Sequence, residues 1–273
     1  MLLREVGNWS KEKLHYVAGY MDMFTTSMRK KWVLVYVDLF AGPGKSRVKK
    51  TGELVKGSPL LALDLSFRFK KYIFVETEPK SLSALEKRIA AYRDQTDIYI
   101  TGSDCNLAAA EIGSLIPSDA LTLAFIDPEG CDIHFATIKA LANSRRVDLL
   151  MTFPMGMDIK RNVDTAARHT GNDWTRFDHF FGSTDWRRSY LTALASGGWK
   201  VAIQKTMEFY KDQLKDLGYK EIKTPLEILI RKTHTNVPLY YLLFASKNPL
   251  GTDFWKKISA TSPSGQIALK LDQ

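Results

Sequence analysis

The sequence predicts an α/β fold, a parallel sheet covered by helices on both faces and completed by an antiparallel last strand. Three observations carry this. Five short apolar runs, Val33–Val37, Tyr72–Val75, Ile98–Ile100, Leu121–Ile126 and Asp148–Phe153, alternate with helix-periodic stretches over Pro59–Leu65, Leu82–Tyr92, Leu107–Leu115 and Phe135–Ala142. These runs lack the polar alternation of a half-exposed strand, so helices must cover both faces. Two later runs, Tyr219–Ile230 and Leu239–Ala245, are joined by a polar loop holding Asn236 and Pro238, the pattern of an antiparallel hairpin at the sheet end.

Around this core the remaining segments read in order. Residues 9–31 are helical: Ser10 is the expected N-cap, and Leu14, Val17, Met21 and Phe24 recur at helical spacing. Arg29-Lys30-Lys31 supplies the positive charge that a helix C-terminus favours. Residues 155–215 hold no strand pattern but interleave Arg161, Arg168, Arg176, Arg187 and Arg188 with Trp174, Phe177, Phe180, Phe181 and Trp186. Trp199–Leu217 predicts a helix stopped by Gly218, and Asp253–Ile258 a short final helix. The division is an N-terminal helical segment (1–31), a sheet core (32–154), a helical insertion or lid (155–217), and a closing hairpin with its helix (218–273), all in one structural domain.

Composition narrows the class. Over 273 residues, 45% are hydrophobic and 25% charged, which excludes a disordered or low-complexity chain. Cys105 and Cys131 are too few for a disulfide scaffold or a four-cysteine zinc site, and His134, His169 and His179 are scattered, so no metal is expected. No apolar run reaches the ~18 residues needed to span a bilayer, and the N-terminus lacks the apolar core of a signal peptide. The expected compartment is reducing and cytoplasmic. Lys plus Arg outnumber Asp plus Glu by 39 to 30, a net charge of +9 that attracts polyanions and makes DNA or RNA a candidate partner.

The chemistry-bearing residues stand at the strand ends. The first run closes on Asp38-Leu39-Phe40-Ala41-Gly42-Pro43-Gly44, an acid followed by a glycine turn. In open parallel sheets ligands bind outside the carboxyl ends of strands, and glycines there admit close approach. The pattern is neither a G-x-G-x-x-G dinucleotide turn nor a phosphate-binding P-loop, and its acid suits an amino-acid-bearing ligand better than a polyphosphate. The second run ends on Glu76, placed to accept from a ribose diol; Gly102-Ser103-Asp104 follows the third, with Asp104 placed for an exocyclic amine; Asp127-Pro128-Glu129-Gly130 follows the fourth. Ser58 and Pro59 predict an N-cap and first helical position after the intervening stretch Lys45–Gly57.

Together these motifs resemble the three-Cys-motif partner (TcmP) family, whose fold is the Rossmann-like class I S-adenosylmethionine (SAM)-dependent methyltransferase sheet. The resemblance rests on Asp38–Gly44, Gly57-Ser58-Pro59-Leu60, Phe74-Val75-Glu76, Gly102–Asn106, Ile126-Asp127-Pro128, Phe180-Phe181-Gly182 and Leu239–Lys247, nearly the whole chain. It implies SAM as cofactor and a phage-associated partner carrying a three-cysteine motif. Carried over from the fold, Asp38, Gly42 and Gly44 line the methionine part, with Phe40, Ala41 and Pro43 of the same turn also binding the cofactor, Glu76 binds the ribose, Asp104 the adenine with Ser103 adjacent, and Asp127 stands beside the transferred methyl with Pro128 and Glu129. The expected function is SAM-dependent methyl transfer to nucleic acid or a nucleotide-like substrate. The alternative is a non-catalytic subunit of the same fold that binds nucleic acid or the three-Cys partner.

The chain departs from amino-methylating enzymes, which carry two prolines and an aromatic ring after the acid where this one has Pro128-Glu129-Gly130. Cytosine C5 chemistry needs a Pro-Cys nucleophile, and Cys131, lacking that context, reads as a structural thiol. Glu78-Pro79-Lys80 imitates a nuclease acid-x-lysine pattern, but its proline interrupts the strand. Lys45, Arg47, Lys49 and Lys50, together with Arg161, are the candidate substrate cations, with Lys56, Arg145, Arg146 and Lys160 nearby in sequence. The aromatics of 174–188 fit either a base-stacking surface or a packed helical core.

Overall fold

The computed structural model describes residues 1–143, 145–169, 174–223, 226–233 and 235–261. Parts of the segments expected over 155–217 and 218–273 therefore lie outside the described residues, as does the middle of the Tyr219–Ile230 run. In chain order the elements are β1 (Arg4–Val6), α1 (Trp9–Met28), β2 (Leu34–Asp38), β3 (Lys45–Val48), β4 (Leu54–Lys56), α2 (Ser58–Leu63), β5 (Lys71–Val75), α3 (Pro79–Ile89), β6 (Asp97–Thr101) and α4 (Ala109–Ser114). There follow β7 (Leu121–Ile126), α5 (Phe135–Ala142), β8 (Arg146–Phe153), α6 (Lys160–Arg168), α7 (Thr175–Phe181), α8 (Asp185–Asp216), β9 (Ile228–Arg231), β10 (Pro238–Ala245) and α9 (Pro249–Ser259).

The main sheet has seven strands in the order β6-β5-β2-β7-β8-β10-β9. Neighbours are parallel from β6 through β8, and β10 runs antiparallel to both β8 and β9. All five residues of β2 are buried, and they divide by strand alternation: Val35 and Val37 join one hydrophobic cluster, Leu34 and Tyr36 the other. The first cluster takes in Ile112 of α4, Ile138 of α5 and the aromatics of α7 and α8; the second takes in Tyr20 of α1, Leu63 of α2, Leu85 of α3 and Trp255 of α9. The chain leaves β2 outward to β5 and β6, then crosses back to β7 on its other side. The strand order therefore reverses between β2 and β7, which makes their carboxyl ends the switch point of the sheet.

Several expectations are corrected. The intervening stretch Lys45–Gly57 folds as the β3–β4 hairpin, and β1 pairs with β3 in parallel to form a second, three-stranded sheet. The first helix is preceded by Asn8 rather than capped by Ser10, and Gly57 precedes α2, leaving Ser58 inside it. α8 begins at Asp185, well before Trp199; Gly198, at φ 72°, kinks it, so the stretch read from Trp199 is its second half. Among the described residues of the Tyr219–Ile230 run, only those from Ile228 onward are strand, and Lys220–Lys223 is a 3-10 turn. Gly218 sits at φ 97° just past α8, where a residue without Cβ is favoured.

Four of the five interleaved aromatics of the insertion are core, and Trp174 packs half-buried against them. Phe177, Phe180, Phe181 and Trp186 are fully buried in the cluster shared with the sheet, so they offer no base-stacking surface. The interleaved arginines are largely spent on internal partners: Arg187 pairs with Asp178 and donates to the carbonyls of Ala166 and His169, and Arg176 pairs with Asp158 through both its terminal nitrogens. Arg145 and Arg146 precede or open β8, at the sheet edge opposite the strand carboxyl ends, and Arg146 stacks over Trp32.

Candidate ligand site at the strand ends

The turn after β2 is held from three sides. The N–H of Leu39 donates to the Phe125 carbonyl of β7, that of Ala41 to the Val75 carbonyl of β5, and that of Gly57 to the Gly44 carbonyl, at 3.2, 2.9 and 2.8 Å. Arg88 of α3 donates to the carbonyls of Pro43 and Leu2. Gly42 and Gly44 adopt φ of 62° and 80°, a left-handed backbone that side-chain-bearing residues avoid. A Cβ on Gly42 would meet no atom within 4 Å, because the residue faces an open cleft.

That cleft encloses about 290 Å³ at the switch point. It is lined by Phe40–Gly44, Gly57 and Ser58, by Asp127, Pro128 and Glu129 with Thr152 and Tyr240, by Arg4, Glu5, Val6, Gly7, Trp9, Ser10, Lys13 and Leu14, and by Ser46, Lys49 and Val55 of the hairpin segment.

Asp38, expected to line the methionine part, lies instead beneath the turn and is fully buried. It accepts from the Phe40 N–H and the Tyr36 hydroxyl, each at 3.3 Å, and from Ser58. Burial pushes its carboxyl up to about 7, against the lowering effect of these hydrogen bonds, and the nearby charge of Asp127 adds to the rise. Its place in the site is to support the turn rather than to touch a ligand. Glu76, Ser103 and Asp104 stand at the ends of the two outer strands on the same sheet edge, but outside the cleft lining. Glu76 accepts from the Glu78 N–H at 2.7 Å, Ser103 donates its N–H to Thr101 Oγ1 at 3.2 Å, and Asp104 accepts from the Asn106 N–H at 2.7 Å. Asn106 in turn binds the loop after β7 through the Asp132 carbonyl and the His134 N–H.

Asp127 forms an ion pair with Lys13 of α1, and its second oxygen accepts from Thr152 at 2.5 Å. Glu129 pairs with Arg4. Two strands and the first helix thus converge on the loop after β7. Sequence reasoning missed Lys13, Thr152, Arg4 and Tyr240. A signal for the first existed: Lys13 lies three and four residues before the buried Tyr16 and Val17, so a cation stands in line with the apolar stripe of its helix.

Strand alternation divides the basic stretch. Ser46 lines the cleft and Val48 is buried, while Lys45 and Arg47 fall on the other face of β3 and outside the lining; beyond the strand Lys49 reaches the cleft and Lys50 is exposed. Lys56 is paired with Asp64. Arg161 lines a neighbouring, wider groove with Arg176, Lys232 and Asp158, and Glu129 borders both openings.

Neither thiol is a candidate nucleophile. Burial pushes Cys105 up to about 12, and burial with the charge of Asp158 holds Cys131 well above its ordinary value, whereas a reactive cysteine needs the opposite. Glu78 caps α3, accepting from the N–H groups of Lys80 and Ser81. Among the described residues no group of three or more His, Cys, Asp or Glu side chains is placed to hold a metal ion, and no helix is long and apolar enough to cross a membrane.

No family model matches the chain, and no curated protein matches its sequence. Among solved structures, a Legionella pneumophila protein of family DUF519 is similar at TM-score 0.53 and 13% identity, over 93% of this chain and 90% of that one. An rRNA methylase from Streptococcus thermophilus aligns at TM-score 0.37 and 8% identity, over 86% and 95% of the two chains. A candidate SAM-dependent methyltransferase from Methanococcus maripaludis aligns at 0.34 and 14%, over 88% and 90%. The sheet, mainly parallel with its reversed strand second from the edge, gives this chain a mixed α/β fold similar to that of the Legionella protein.

Proposed function

We propose that this protein is a SAM-dependent methyltransferase acting on nucleic acid or a nucleotide-like substrate, of the three-Cys-motif partner type. The observation that carries the reading is the cleft at the switch point, which a left-handed glycine turn lines together with Asp127-Pro128. The residues present fit the cofactor: Gly42 offers close backbone approach with no side chain to clash, and the half-buried Glu76 and the exposed Ser103 and Asp104 continue along the same edge. Gly42 and Gly44 would hold the amino-acid end, Glu76 the ribose, and Ser103 with Asp104 the adenine. When bound, the cofactor supplies an electrophilic methyl group on a sulfonium, so the protein's task is chiefly alignment. Both oxygens of Asp127 already accept hydrogen bonds, which suits a group that orients the acceptor rather than one that collects its proton. The three-Cys partner and a polynucleotide are the proposed macromolecular partners; net charge and the cations Lys49 and Arg161 beside the two openings support the latter.

Calorimetric titration with SAM and its demethylated product tests the reading. Micromolar binding of both is expected. Glu76→Ala should weaken it by about 1–3 kcal/mol, the scale of a lost charge-assisted hydrogen bond. Asp127→Asn should spare cofactor affinity and abolish transfer. A folded protein that binds neither compound, alone or with its partner, overturns the proposal.

A further inference from the structure

The wider groove beside the cleft carries positive charge for which a cofactor at the glycine turn has no use. It encloses about 630 Å³, against about 290 Å³ for the cleft, and the two openings share Glu129. Arg161 of α6, Arg176 of α7, and Lys232, Thr235 and Val237 of the turn between β9 and β10 all line it. Internal pairs account for part of the charge. Arg176 is spent on Asp158, and Glu129 is held by Arg4. That leaves Arg161 and Lys232 against a single acid of the lining, Asp132, which accepts from the Gly130 N–H. Lys160, next to Arg161, adds a third cation. Among the described residues none of these three cations has an ion-pair partner, and all three are exposed.

An exposed ring continues this surface. Among the described residues Trp199 is the one Phe, Trp or Tyr that is exposed, at 47%. It follows the Gly198 kink of α8, and the ammonium of Lys160 lies 4.9 Å from the centre of its ring. That contact ties the ring to the start of α6, where Arg161 borders the groove. The cations call for an anion, and the ring for a flat apolar partner in place of water. A single nucleic-acid strand offers both, phosphates along its backbone and unpaired bases with open faces. A duplex keeps its base faces stacked inside, and an acidic peptide brings the charge without the bases.

We propose that a single-stranded nucleic acid docks along this groove, with its phosphates on Lys160, Arg161 and Lys232, one of its bases stacked on Trp199, and its path leading to the cleft at Glu129. This rests on the nucleic-acid part of the reading above and gives it a surface, between α6 and the β9–β10 turn. No bond forms or breaks there; the groove holds the strand.

Fluorescence anisotropy with labelled RNA and DNA strands of ~20 nucleotides, longer than one binding site, reads the contact. The same strands annealed to their complements, and unlabelled polyglutamate as competitor, are the comparisons. Single strands should bind more tightly than duplexes, and polyglutamate at equal charge should not displace them. Trp199→Leu should weaken strand binding about tenfold, the scale of one lost stack, and Trp199→Phe, which keeps a ring, should lose far less. Arg161→Ser combined with Lys232→Ser should lower the salt slope by about 0.7 for each phosphate no longer neutralised. These positions are exposed, so every variant should melt with the parent. Affinity unchanged in Trp199→Leu, a salt slope unchanged in the double variant, duplexes preferred to strands, or displacement by polyglutamate overturns the inference, as does a folded parent that binds neither strand. Calorimetry with SAM judges the methyltransferase reading separately. Strands held on these residues by a protein that binds no SAM keep the inference and overturn methyl transfer; SAM binding by a protein whose strand affinity ignores these residues keeps methyl transfer and overturns the inference.

Discussion

Asp148 illustrates what a single buried carboxyl does to this fold. It sits on β8, accepts from the Tyr20 hydroxyl of α1 at 2.7 Å and from Ser246, and ties the first helix to the sheet. Burial pushes its carboxyl up to about 6, with those hydrogen bonds opposing the rise. A raised carboxyl supports the folded state fully below about pH 4, where both states are protonated, and that support is lost as pH rises through about 6. Asp148→Asn cannot ionise, so it should flatten the fall of stability between pH 4 and 7, with a relative gain on the order of 2–3 kcal/mol at pH 8. Urea unfolding at both pH values checks this; parent and variant differing equally at each would contradict it. Asp38, pushed up to about 7, contributes with the same sign beneath the glycine turn. Its identity as a strand-ending acid was legible in the sequence, but its burial was not, because only the packing of Tyr36 and Ser58 around it decides which way the carboxyl faces.

Among the elements, the β3–β4 hairpin is where sequence and structure diverge most usefully. Its run of cations was legible, but a run read as one patch becomes two faces once the backbone is extended, with Ser46 and Val48 turned inward and Lys45 and Arg47 outward. If polyanions approach over this wall, replacing Lys45, Arg47, Lys49 and Lys50 with Ser should flatten the salt dependence of RNA or single-stranded DNA binding by about 0.7 for each phosphate no longer neutralised. Binding measured between 50 and 200 mM salt (roughly the range over which such ion pairs dominate) reads the slope, and an unaltered slope moves the polyanion surface off this hairpin. The pairing of β1 with β3 had no comparable signal: three residues, Arg4–Val6, are too few for a periodicity, and they become a strand only because the hairpin presents an edge to them.

Across the molecule, the helical insertion and the sheet are joined rather than appended. Val163, Phe180, Trp186 and Tyr210 share one hydrophobic cluster with Val35, Ala124 and Met151 of the sheet. Arg176 of α7 clasps Asp158, which also accepts from the Cys131 N–H in the loop after β7, so the insertion is pinned to the rim of the site. Such a shared core should unfold in one cooperative transition. Differential scanning calorimetry should give a calorimetric enthalpy equal to the van't Hoff value; two separated transitions would mean that the insertion folds by itself.

The sequence by itself determined the sheet. Uninterrupted apolar runs between helix-periodic stretches admit few arrangements other than strands covered on both sides, and the polar residues that close those runs mark the edge where a ligand belongs. It also exposed the glycine turn, since a left-handed backbone needs a residue without a Cβ. The tertiary structure alone decided which groups meet in the cleft. Lys13, Asp127, Thr152 and Tyr240 come from four elements spread over more than two hundred residues, and what brings them together is the strand order. That order places β10 beside β8 and lays α1 across the sheet, and it is fixed by how whole faces pack, which no local pattern in the chain encodes.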